Sequence, residues 1–213
     1  MATGPSSRPA CSVTTWRSWP GATKRCWRQS TLAIRSGPWP PCSTTSKTWA
    51  GRPRDLTHNV TEQEAVDLAR SLFLRDDNLY GCAETTLLVL EKAYGLAGDV
   101  SPAMALNGGV GWSGGVCGAI SAAALVAGRL AARKVPDHKQ AKSLARSMVA
   151  GLIHEFKARL GTVDCSQLTG LDISTAEGHA AFLAAGTWRT DCMDQIEFVI
   201  RRLLAAGADL NLC

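Results

Sequence analysis

Beyond residue 57, apolar residues recur every three or four positions, a spacing that predicts a succession of helices. The first helix is predicted over residues 62–74, because Thr61 and Glu64 match a capping box directly before the apolar run. A glycine-rich loop at residues 107–115 interrupts the pattern, and a short turn is expected near residues 165–168. The remaining helices are predicted over residues 82–94, 116–133, 137–160 and 175–186, and from Asp191 onward.

No stretch alternates with a period of two for long enough to predict a strand. The fold class is therefore expected to be all-α, a single helical-bundle domain of five to seven helices. The apolar run over residues 116–127 is about a dozen residues long, whereas about 20 are needed to span a bilayer. We interpret it as a buried core helix and expect no membrane insertion.

The first 56 residues differ from the rest of the chain in composition. They hold five of the seven Trp, many Ser, Thr, Arg and Pro, and no apolar periodicity. We expect residues 1–56 to be an unstructured or mis-translated extension and residues 57–213 to form a helical four-cysteine redox domain. On this interpretation Cys11, Cys26 and Cys42 have no role.

The net charge of +5 could indicate a nucleic-acid partner, but its distribution argues against one. Residues 1–54 contain nine basic and no acidic side chains, which leaves 14 basic against 18 acidic residues beyond them. The predicted domain is therefore acidic, and no nucleic-acid surface is expected. The eight cysteines are too few for a secreted disulfide scaffold, and no secretory leader is recognisable, so a cytoplasmic location is expected.

Four cysteines, Cys82, Cys117, Cys165 and Cys192, stand at predicted helix starts. Unpaired backbone N–H groups and the helix dipole favour thiolate there, and thiolate is both the nucleophile and the metal-binding form. Acidic residues precede Cys165 and Cys192, so Cys82 and Cys117 are the better candidates for a lowered pKa. The alternative is that all four are ordinary core residues, since free Cys is often buried.

Three functions follow from this pattern. The leading hypothesis is thiol–disulfide exchange, as in a thiol–disulfide oxidoreductase, with a partner that is either a protein or a small thiol. The second is a metal site, an iron–sulfur cluster or zinc held by the same four cysteines, and the third is a non-catalytic helical interaction module. If one centre exists, all four sulfurs should lie inside a sphere about 10 Å across.

The glycine-rich loop would stand beside that centre. We expect Gly109, Gly111, Gly114 and Gly115 to bring backbone N–H groups close to sulfur or to a cofactor, with Trp112 as a cover. The loop also matches the dinucleotide-binding string, but no strand precedes it, so a Rossmann site is not expected.

The order of these residues also resembles a known family. Cys82, then Cys117-Gly118-Ala119 behind a glycine-rich loop, then single Cys165 and Cys192, resemble the C_GCAxxG_C_C family over about residues 60–205. The resemblance implies a redox role for the four cysteines. One departure is visible, because Ala122 stands where the motif has its last glycine.

Overall fold

The computed structural model describes residues 60–96 and 98–210. The predictions for residues 1–56 lie outside this part of the chain. The all-α prediction is confirmed, because the described residues contain helices and one isolated antiparallel bridge between Val116 and Asp164 but no strand. No described helix is long and apolar enough to cross a membrane.

Seven α-helices, one 3-10 helix and one π-helical turn make up the described fold. Their order along the chain is α1 (Glu62–Phe73), α2 (Cys82–Ala93), the 3-10 helix (Ser101–Leu106), α3 (Gly118–Lys134), α4 (His138–Leu160), α5 (Cys165–Thr169), α6 (Ala176–Ala185), the π-helical turn (Trp188–Cys192) and α7 (Met193–Asp209).

Three predicted helix ends agree with the observed caps. Thr61 and Glu64 form the predicted capping box of α1, with the Thr61 backbone N–H donating to Glu64 Oε2 at 2.7 Å. Asp137 accepts from the backbone N–H of Gln140 at 2.9 Å and begins α4. Gly161 ends α4 at a φ of 82°, a conformation that glycine adopts without steric cost.

Two stretches differ from the prediction. The loop around Pro102 contains the 3-10 helix, because proline is tolerated in the first turn, where its missing N–H would have no partner. The last helix does not open at Asp191, because the π-helical turn leads directly into α7. Cys192 has helical backbone angles, φ −66° and ψ −34°, so no capping break separates the two.

Small side chains let α3 pack closely at the centre of the bundle. Its buried face packs against α2 and α4, while α7 packs across α1 and α2. Ala122, which stands where the family motif has its last glycine, is fully buried on this face, so its methyl group fits the packing. The fully buried small residues of this face are Ala119, Ala122, Ala123 and Ala127.

Candidate thiol site

Cys82 is the first residue of α2, and a polar network holds it in place. Asn107, the first residue of the glycine-rich loop, accepts the backbone N–H of Ala83 at 2.9 Å through Oδ1, and this oxygen lies 3.6 Å from Cys82 Sγ. Asn107 also donates to Glu84 Oε2 at 3.0 Å, and Glu84 accepts the Gly81 N–H at 2.9 Å. Asn107 thus caps α2 from outside the helix and orients its first turn.

The sulfur of Cys82 rests directly on the start of α3. A Cβ atom built on Gly118 would lie 2.7 Å from Cys82 Sγ, closer than any van der Waals contact permits. Backbone N–H groups of Gly108 and Gly118, together with those of α2 itself, act to lower the Cys82 pKa. The loop contributes to this set through Gly108, which is not one of the four glycines predicted to approach sulfur.

Cys117 and Cys165 lie on paired segments. The Cys117 N–H donates to the Val163 carbonyl at 2.8 Å, and the Cys165 N–H donates to the Gly115 carbonyl at 2.6 Å. Cys117 is the N-cap residue of α3 and Cys165 is the first residue of α5. The Cys117 thiol is buried and donates to Gln195 Oε1 of α7 at 3.4 Å.

Cys192 corrects one prediction. It ends the π-helical turn and continues into α7, so only three of the four cysteines stand at a helix start. The cause is Gly186, which ends α6 at a φ of 66°, after which the chain re-enters a helix at Trp188 rather than at Asp191. Cys192 is buried, and its turn contacts α5, which begins at Cys165.

The four thiols affect one another electrostatically. The charge of Cys82 raises the pKa of each of the other three, that of Cys165 raises the pKa of Cys117, and Cys192 interacts with all of them. Every pair among the four is thus electrostatically coupled, although Cys82 and Cys192 are 110 positions apart in the chain. All four are free thiols.

The prediction of a lowered thiol pKa was wrong. Burial raises the pKa of Cys82, Cys117, Cys165 and Cys192, to about 12 for Cys165, because a thiolate loses more hydration than a neutral thiol when it leaves water. Repulsion between thiolate charges raises the pKa of Cys117, Cys165 and Cys192 further. At Cys82 the N–H groups offset the effect of burial only in part, so all four side chains are neutral thiols near pH 7.

The arrangement does not favour a metal. Over residues 60–96 and 98–210, no group of three or more His, Cys, Asp or Glu side chains is arranged to hold a metal ion. The metal alternative therefore gains no support from the donor geometry.

Three of the thiols line one cavity of about 320 Å³. Cys82, Cys165 and Cys192 form part of its wall, and Cys82 is the least buried of the four cysteines. Cys117 is not among the lining residues. The rest of the lining is largely aromatic and aliphatic, and includes Phe73, Trp112, Ile173, Phe182, Leu183 and Trp188.

The glycine-rich loop supports this wall by its shape. Gly108 and Trp112 line the cavity, whereas the predicted contact residues Gly109, Gly111, Gly114 and Gly115 do not. Gly109 is buried against the Gly115 backbone, and Gly114 is buried against Ser166 of α5. Gly111 is exposed, with open space around its Cα.

Sequence reasoning missed several residues of the site. Gln195 is buried beside Ile196 on the inward face of α7. A polar residue within an apolar stripe is visible in the sequence and could have indicated a buried polar contact. His179 packs against Trp112 with ring centroids 4.3 Å apart, and no sequence spacing could have indicated this contact. Phe73 and Trp188 reach the cavity from opposite ends of the chain, in an edge-to-face pair.

Comparison with known proteins agrees with this geometry. A family model described as "Putative redox-active protein (C_GCAxxG_C_C)" matches residues 80–205, which include all four cysteines. Neither the curated proteins nor the solved structures that were compared include a match. Because the matched region covers more than half of the chain, this protein belongs to the C_GCAxxG_C_C family.

Proposed function

We propose that the protein carries out two-electron thiol–disulfide exchange, with Cys82 as the attacking thiol and Cys165 as the resolving thiol. The observation that supports this assignment is the cavity wall, where Cys82, the least buried of the four cysteine residues, stands with Cys165 and Cys192. Cys82 also has backbone N–H groups that lower its pKa, and these would favour the thiolate as it forms.

The reaction balances without a bound cofactor. Cys82 loses its proton and attacks one sulfur of a disulfide R–S–S–R, which forms a mixed disulfide and releases the first RS⁻. The Cys165 thiolate then attacks Cys82 Sγ, which forms a Cys82–Cys165 disulfide and releases the second RS⁻. The two protons lost by the cysteines convert both products to RSH, so the substrate is reduced and the protein dithiol is oxidised.

Cys165 is the preferred resolving thiol because it lines the same cavity and begins a helix of only five residues. A short helix can shift to the Cα separation of about 4.4–6.8 Å that a disulfide needs. Cys192 lines the cavity too, but its turn continues into the 17-residue α7. Cys117 is farther from the cavity and donates to Gln195.

The test uses the full chain with Cys11, Cys26, Cys42 and Cys213 replaced by Ser. The reduced protein is mixed with the disulfide 4,4′-dithiodipyridine, and thiopyridone release is followed by absorbance while peptide mapping locates the modified cysteine. Two thiopyridones should be released, with a Cys82–Cys165 disulfide as the product.

Three single variants separate the roles. Cys165→Ser should release one thiopyridone and stop at a mixed disulfide on Cys82, whereas Cys192→Ser should still release two. Cys82→Ser should lose the initial reaction. Unchanged release in Cys82→Ser would refute the assignment, and a visible absorption band in protein purified without oxygen would favour a cluster instead.

A further inference from the structure

The cavity beside the thiols has a chemical character that restricts its substrate. Six of its lining residues are large and apolar or aromatic. Its polar lining groups other than the thiols are Asn78, Tyr80, Asn107 and His179. No Lys, Arg, Asp or Glu is among the described residues that line it. At about 320 Å³ it matches the lower range of small-molecule pockets.

Among the charged side chains nearby, Glu84 accepts hydrogen bonds from Gly81 and Asn107 of the cavity wall, and the arginines are engaged elsewhere. Arg189 lies over the Trp188 ring at 4.2 Å and donates to Asp76 Oδ1 at 2.7 Å. Arg75 pairs with Asp77. A carboxylate entering the cavity would lose its water without gaining a charged partner, which is costly, whereas an uncharged aromatic group would gain contact with the lining.

We propose that the substrate of this site is an uncharged small-molecule disulfide with aromatic or branched apolar substituents. The inference rests on the proposed function and adds the substrate class to it. One substituent occupies the apolar lining while its sulfur meets Cys82, and the exchange then proceeds with the electron balance given above. Disulfides that carry carboxylates, including peptide disulfides with free termini, are disfavoured by the uncharged wall.

A matched pair of aromatic disulfides tests this class. The neutral 4,4′-dithiodipyridine and the dianionic 5,5′-dithiobis(2-nitrobenzoate) both release coloured thiols. Their rates with Cys82 are measured at pH 8 in the same four-serine background. Each is divided by the rate with 2-mercaptoethanol, which removes the intrinsic difference in reactivity. We expect the normalised rate of the neutral disulfide to be about tenfold higher or more.

A charge placed at the cavity provides the second arm. Leu183 of α6 lines the cavity with 45% of its surface exposed, so Leu183→Lys adds a cation there without emptying the core. The control is Leu125→Lys on α3, where the leucine is 37% exposed and not among the lining residues. Leu183→Lys should raise the normalised rate of the anionic disulfide about threefold, and Leu125→Lys should leave it unchanged.

The outcomes separate the two proposals. If neither disulfide modifies Cys82, the thiol-exchange function itself is refuted. If both modify Cys82 at equal normalised rates, or the anion reacts faster, exchange stands and the uncharged substrate class is overturned. Equal responses of Leu183→Lys and Leu125→Lys would also overturn the class, because net charge rather than the cavity wall would then control the rate.

Discussion

At the scale of single residues, Cys82 Sγ lies so close to Gly118 that a Cβ atom built there would be 2.7 Å from the sulfur. The Leu106 carbonyl would also lie 2.9 Å from a Cβ at this position. A methyl group at this position would clash with both a sulfur and a backbone carbonyl. Rotation of one flexible side chain could not relieve this clash. Glycine at 118 thus lets the N-termini of α2 and α3 approach each other.

We predict that Gly118→Ala lowers the rate at which Cys82 reacts with disulfides and destabilises the domain by about 1–3 kcal/mol, as overpacking does in a core. Thermal unfolding and Cys82 modification rates measure both effects. The control is Gly128→Ala on the same helix, which has open space around its Cα. It should stabilise the domain by about 0.5–1 kcal/mol, and a similar loss in both variants would contradict the contact argument.

The raised thiol pKa values predict a loss of stability at alkaline pH. The unfolded chain ionises near the ordinary thiol pKa of about 8.5, while the folded chain keeps its protons, Cys165 with a pKa of about 12. The stabilisation is therefore complete below about pH 8.5 and falls as the pH rises toward the folded values. Each buried thiol contributes a slope of up to about −1.4 kcal/mol per pH unit.

Denaturant unfolding between about pH 8.5 and 10, in the presence of a reductant, measures this slope. Cys117→Ala removes one thiol whose pKa is raised by burial. The free energy of unfolding of this variant should therefore fall less steeply with pH, by about the contribution of one buried thiol. Stability that stays constant over this range in the unaltered chain would show that the thiols are not buried as neutral groups.

At the scale of elements, the glycine-rich loop is the most strained segment. Five consecutive residues, 108–112, have φ between 61° and 71°, and two of them are Val110 and Trp112 rather than glycine. Valine seldom adopts this conformation, because its branched side chain crowds the backbone. Bonds such as Gly114 N–H to the Gly108 carbonyl at 3.1 Å hold the loop in this shape.

We predict that Val110→Asn stabilises the domain by about 1 kcal/mol, or about 3 °C in melting temperature, since asparagine tolerates positive φ. The Val110 side chain is 49% exposed, so little packing is lost. Val116→Asn is the control, because Val116 is 39% exposed and forms the bridge to Asp164 without a positive φ. It should not stabilise, and equal gains in both variants would remove the strain argument.

At the scale of the whole molecule, the first 56 residues have no apolar periodicity and no acidic residue before Asp55, a composition that predicts no contribution to the stability of the domain. Deleting residues 1–56 should leave the melting temperature and the Cys82 modification rate unchanged, because the predicted core and all four site cysteines lie beyond them. Calorimetry of both chains measures this. A loss of several degrees on deletion would show that part of the segment packs on the domain.

The sequence by itself determined the helices and the order of the cysteines. Capping at Thr61 and Asp137, the glycine stop at 161 and the apolar period of 3.6 are local signals, because each depends on residues within about one helical turn. The same locality explains why Cys82, Cys117 and Cys165 were placed correctly at helix starts. The family resemblance is likewise carried by the order of residues and was confirmed over residues 80–205.

Only the tertiary structure decided the state of the thiols and the character of their surroundings. A helix start favours thiolate when water or charge is nearby, but packing places these four sulfurs together and away from water, and burial then raises every pKa. The apolar cavity joins Phe73, Trp112 and Trp188, which no local pattern relates. Burial and proximity depend on how distant segments pack, so neither can be determined from the spacing of residues along the chain.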